Sequence, residues 1–180
     1  MHAIISKNIR IRYPRHFEVG EHSIVDDFSY FSTKVKIGRC SHVASGCSIA
    51  GGKELQFTLG DYSSLSSGVK IWCGSDDFVK DIVTIISPQV YKKIGTIKNN
   101  FIAGDVCVGN FTAIGANTVI MPCNNIPEGT VIGALSFAPP SFKFKPWSVY
   151  AGSPIRFIKK RNRKNVLRQA ELLTEELDKI

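Results

Sequence analysis

The chain has 180 residues, 43% of them hydrophobic and 21% charged, enough for one full hydrophobic core, so one domain with a short tail is expected and no second core is needed. No apolar run approaches the ~18 residues of a membrane span, and the cysteines (Cys40, Cys47, Cys73, Cys107, Cys123) include no CxxC pair, which argues against a disulfide framework or a zinc ribbon and leaves buried free thiols. The net charge of +8 gathers toward the two ends, with Lys159, Lys160, Arg161, Arg163, Lys164 and Arg168 in one cluster, so a phosphate-bearing cofactor is expected and a nucleic-acid partner is not.

The first residues, MHAIISKNIRIRYPRH, put Lys7, Arg10, Arg12 and Arg15 after a short apolar stretch. That order is the reverse of a secretory signal and predicts a cytoplasmic protein. From Val19 a period of six takes over: VGEHSI, VDDFSY, FSTKVK, IGRCSH, VASGCS, IAGGKE. It resumes as LGDYSS and LSSGVK, and again as IAGDVC, VGNFTA, IGANTV, IMPCNN, IPEGTV, IGALSF. Each hexad opens with an aliphatic or aromatic residue and usually carries a small residue four places later. The first residue would point into a core from a short strand; the small one would tuck into the bend that follows.

Neither a helix nor an amphipathic strand repeats at six, so the period predicts a parallel coil of three walls in which eighteen residues return to the same face. On this count Val19, Ile37, Leu59, Ile102 and Ile120 share one face. Five coils at the roughly 4.8 Å spacing of parallel strands would make a rod about 24 Å long. No coil buries enough to fold alone, so the stack forms as a unit.

Residues 72–100 lack the period and read as a loop expelled from the prism; loops of that length in compact domains are usually functional. VYAGSP and Ile155 look like a last partial coil. Residues 162–180 have the charge and leucine spacing of a helix that would cap the open end or pack on a neighbour, leaving 1–161 as the β-helix domain.

These hexads, with Ile-Gly, Val-Gly or Leu-Gly pairs at Val19, Ile37, Leu59, Val108, Ile114 and Ile132, resemble the left-handed β-helix acyltransferase superfamily. GDYSSLSSGVKIWCGSDDF, the loop, IPEGTVIGALSF and WSVYAGSPIRFIKKR resemble in particular the sugar and lipopolysaccharide O-acetyltransferases. The resemblance supplies the left hand; chain physics alone favours right-handed crossovers. It also implies a homotrimer with active sites in the grooves between subunits, acetyl-CoA as donor and no metal. Carried over by position, acetyl-CoA would meet Gly115, Ala116, Gly133, Ala134 and Ser136, with Arg156, Lys159 and Lys160 near its phosphates. Those small residues are also what tight corners need.

Acetyl transfer needs a base for the acceptor and donors for the oxyanion. Many members of the superfamily place a histidine at the start of the expelled loop; here CGSDDF stands there, and no histidine follows His42. Asp76 and Asp77 are therefore candidate bases, set against the alternative that one of them caps the loop's first turn. His42 closes the hexad IGRCSH and should face outward, which makes it the imidazole candidate. Trp72, Phe78 and Tyr91, with Phe101, could form a platform for a sugar ring or pack on an adjacent protomer.

The expected reaction is acetylation of a sugar hydroxyl in surface polysaccharide or lipopolysaccharide synthesis, with the sugar free, nucleotide-linked or lipid-linked. An N-acetyltransferase of an amino-deoxy nucleotide sugar and a non-catalytic trimeric scaffold are the alternatives.

Overall fold

The computed structural model describes residues 2–77, 79, 93, 101–177 and 179. Short strands wind around a single apolar column and form three walls. The first wall is an eight-stranded sheet. Its parallel strands are Ile4–Ile5, Ile24–Val25, His42–Val43, Ser64–Leu65, Ala113–Ile114, Val131–Ile132 and Ser148–Ala151. Arg156–Lys160 folds back antiparallel on the last of them. Arg10–Ile11, Lys70–Trp72, Val119–Ile120 and Phe137–Ala138 belong to the second wall, and Phe17–Val19, Val106–Val108 and Asn125–Ile126 to the third. Two long strands, Tyr30–Ile37 and Ser48–Leu59, bend across the edge between these two walls.

The hexad rule holds on the inside. Val25, Val43, Leu65, Ile114 and Ile132 are buried behind the first wall, Phe31, Ile49, Ile71, Ile120 and Ala138 behind the second, and Ile37, Leu59, Val108 and Ile126 behind the third. Four places after a hexad opens, the small side chain is buried too, and it spans coils. Ser23 Oγ donates to Gly38 O and accepts from Ser41 N, Ser41 Oγ accepts from Ser63 N, and Ser63 Oγ accepts from Thr112 N. A bend leaves main-chain groups unpaired inside the prism, and this hydroxyl ladder satisfies them.

Four expectations need correction. The face shared by Val19, Ile37 and Leu59 continues through Val108 and Ile126, not Ile102 and Ile120. On leaving the loop, Phe101–Ala103 first pairs antiparallel with Gly74–Asp76 outside the prism, so the period restarts at Val108. Coiling begins before Val19, at Ile4 and Arg10, giving about six turns rather than five. Cys47 and Cys73 are buried as free thiols, but Cys107 and Cys123 are exposed because they fall at outward positions of the repeat.

The fourth correction concerns the C-terminal helix α1, Arg163–Leu177, which lies along the side of the prism rather than over its open end. At the edge between the third and first walls, Tyr62, Phe111 and Trp147 stack with centroids 5.5 and 6.1 Å apart. Gly129 stands at φ +68°, and a Cβ there would come within 2.3 Å of Trp147, so only glycine lets the indole cover this corner. Helix α1 docks on that column through Tyr62 Oη and Thr174 Oγ1, 2.7 Å apart. Arg161 secures its approach by donating to the carbonyls of Phe111 and Gly129. None of the described helices is long and apolar enough to cross a membrane.

Candidate active site

Where the loop leaves the prism, Trp72, Gly74, Ser75, Asp76, Phe101 and Met121 line a cleft of about 360 Å³. Trp72 and Met121 flank it from the second wall. The Phe101 ring lies directly on Gly74, where a Cβ would come within 2.5 Å of Cζ, so the glycine allows an aromatic floor against bare backbone. Asp76 is half-buried at the rim, and its carboxylate has no partner among the described residues. Asp77 behaves as a turn cap, its Oδ1 accepting from Val79 N at 3.1 Å. Phe78 and Tyr91 lie outside the described residues.

On the outer face of the first wall, in-register pairing aligns His42, Ser64, Ala113, Val131, Val149 and Lys159 in one column. Five steps of inter-strand spacing make it roughly 24 Å long. The middle of this track is small or short-chained. Its C-terminal end is basic, with Arg156, Lys159 and Lys160 all exposed, and its other end carries His42, which faces outward as its place in the hexad predicts.

The edge beside the track explains the glycines. A Cβ on Gly115 would lie 2.4 Å from Ala134 N, and one on Gly133 would touch the Ala151 Cβ at 3.0 Å, so both residues are required for coil stacking. Their N–H groups are also occupied, donating to Ile132 O and Tyr150 O. Ser136 is buried, donating to Gly133 O and accepting from Gly152 N. Ala116 and Ala134 differ. Their N–H groups have no partner among the described residues, so of the residues expected to contact a cofactor here these two retain free main-chain donors.

The periodicity did not reveal Asp26. His42 Nε2 lies 2.8 Å from Asp26 Oδ2. Within one protomer this pair and Asp76 are not brought together: His42 is on the first wall, while Asp76 sits at the edge between the second and third. Among the described residues no group of His, Cys, Asp or Glu could hold a metal ion.

No protein-family model matches the chain. It is 32% identical over 108 residues to a probable macrolide acetyltransferase of Lysinibacillus sphaericus, a match that spans 57% of this chain and 59% of that protein's length. It is 27% identical over 150 residues to the dTDP-4-amino-4,6-dideoxy-D-glucose acyltransferase of Escherichia coli, spanning 81% of this chain and 72% of the other. Among solved structures, the N-acyltransferase AntD of Bacillus cereus, in complex with dTDP-4-amino-4,6-dideoxyglucose and coenzyme A, superposes with a TM-score of 0.81 at 30% identity, covering 96% of this chain and 88% of AntD. The chain belongs to the left-handed β-helix acyltransferase superfamily. The three-walled prism is accordingly the superfamily's left-handed coil, and both the cleft at Asp76 and the track from His42 to Lys159 are features of that scaffold's surface.

Proposed function

We infer that the protein is an acyl-CoA-dependent N-acyltransferase whose acceptor is the amino group of a nucleotide-linked amino-deoxy sugar. The amine replaces the hydroxyl acceptor expected from the sequence. The observation that carries this reading is the likeness, over nearly the whole chain, to AntD bound to such a sugar and coenzyme A. AntD has also been captured with 3-hydroxybutyryl-CoA, so acetyl is the simplest of several donors to test.

The first-wall track suits the pantetheine arm. Small side chains let a thin chain lie close to the wall, the N–H groups of Ala116 and Ala134 are available to its amide carbonyls, and Arg156, Lys159 and Lys160 stand ready for its phosphates. With the phosphates at that end, the thioester falls near Ser64, Ser66 and His42. The acceptor belongs in the cleft, where Trp72, Phe101 and Met121 offer an apolar surface to a deoxygenated ring and Asp76 binds the amino group.

These two half-sites belong to different copies in a homotrimer. Ser66 and Asp76 lie at opposite ends of the second wall, roughly 15–20 Å apart at 3.3 Å per residue, too far for one protomer to close a reacting centre. A three-fold ring sets the loop edge of one copy against the track of the next. AntD has been solved as variants at one serine and at one aspartate ten positions later. Ser66 and Asp76 have that separation here, as do Ser67 and Asp77.

In the reaction the acceptor nitrogen attacks the thioester carbonyl carbon, a C–N bond forms and the C–S bond breaks. His42 takes a proton from the nitrogen and returns it to the leaving sulfur, so amide and thiol form with no net proton change. The reading places the enzyme in the cytoplasm, with its substrates, and its product in surface-glycan synthesis. Incubation with acetyl-CoA and dTDP-4-amino-4,6-dideoxyglucose should give a product one acetyl group heavier by mass spectrometry and stable to mild alkali. An alkali-labile ester, or transfer only to a 4-hydroxy analogue, would overturn the amine assignment.

A further inference from the structure

One titratable pair outside the cleft has a geometry that stability does not demand. The His42 and Asp26 side chains are 46% and 39% exposed, and ion pairs so placed contribute little to stability. The coil sets their separation. Asp26 follows the strand Ile24–Val25, His42 opens the next strand of the same wall, and in-register pairing of Ile24 with His42 places the carboxylate diagonally below the ring. Ala44, directly above Asp26 along the edge, is too small to intervene.

The geometry points to Asp26 as the residue that positions His42 for proton transfer, a role that rests on the acyl transfer proposed above. An ionised carboxylate only accepts hydrogen bonds, so the 2.8 Å contact fixes the hydrogen on Nε2 and leaves the lone pair on Nδ1. Nδ1 has no partner among the described residues. The contact thus holds the ring at the thioester end of the track with its basic nitrogen unengaged. As Nδ1 takes the proton from the attacking nitrogen, the ring becomes a cation, and the adjacent carboxylate stabilises it until the proton passes to sulfur. Nothing is oxidised or reduced, and Asp26 itself exchanges no proton.

Steady-state kinetics with acetyl-CoA and dTDP-4-amino-4,6-dideoxyglucose, read by loss of the thioester, test this on His42→Ala, Asp26→Asn and the double variant. His42→Ala should lower kcat about 100-fold and Asp26→Asn about 10-fold, each with KM changed by less than about twofold. In the His42→Ala background, Asp26→Asn should cost nothing further, because its effect runs through the ring. Melting temperatures close to wild type would confirm that these exposed positions leave the fold intact. Full activity of His42→Ala, or additive losses in the double variant, would overturn the assignment while the wild-type enzyme still acylates the amine. A wild type that acylates no amine removes the function, and the role of Asp26 with it.

Discussion

Burial acts on individual side chains most visibly at the cysteines. Low-polarity surroundings disfavour the thiolate, and the thiols of Cys47 and Cys73 are pushed up to about 11 and about 12 from 9.0. Both shifts are upward, so the stability they contribute is fully present below the unfolded value near 9.0 and is lost as pH rises toward the folded values. Denaturant unfolding at about pH 8 and about pH 10.5 should show an alkaline loss of stability that is smaller in Cys73→Ala than in the wild type; an identical loss in both would contradict the burial argument. The inward and outward sense of most residues was legible in the sequence, because the period fixes which side chain points in. Asp26 was not. Its contact with His42 spans sixteen residues and depends on the register between two coils, which no local pattern encodes. The main-chain commitment of Gly115 and Gly133 was equally hidden, since corner and cofactor both ask for a residue without a side chain.

Between neighbouring coils, the hydroxyl ladder does what no single strand could do, since most strands of the prism are only two or three residues long. Each rung accepts an N–H that bends in the chain would otherwise leave buried and unpaired. Ser63→Ala should therefore destabilise the protein by about 1–3 kcal/mol, the cost of stranding Thr112 N inside the prism, although it removes a single oxygen. Thermal unfolding of the variant checks this, and an unchanged midpoint would show that the ladder is dispensable. The small residue at the fourth place after each hexad opens announced these rungs. The restart of the period after the loop was misplaced by one hexad, because IAGDVC has the right residues at the right spacing yet lies partly in an antiparallel arm that never enters the prism. The docking of helix α1 was also illegible: its leucine spacing shows an apolar face, but the surface that receives it is assembled from Tyr62, Phe111 and Trp147 on three separated coils.

At the scale of the molecule, a rigid prism presents chemistry only on its faces and edges, and its size keeps those apart. On the proposed reading, the track on the first wall and the cleft at Asp76 would each hold half of what acyl transfer requires: one a small-residue path with a basic end and an imidazole, the other an apolar floor with the Asp76 carboxylate at its rim. The proposed symmetric association would supply the missing neighbour for each. The most direct measurement of this shared site mixes two variants, His42→Ala and Asp76→Asn, each slowed about 100-fold alone, by unfolding and refolding them together in equal amounts. Random assortment should restore about a quarter of the wild-type rate, since one contact in four then pairs an intact track with an intact cleft. A mixture no more active than the variants refolded separately would show that each protomer works alone, and would contradict the account.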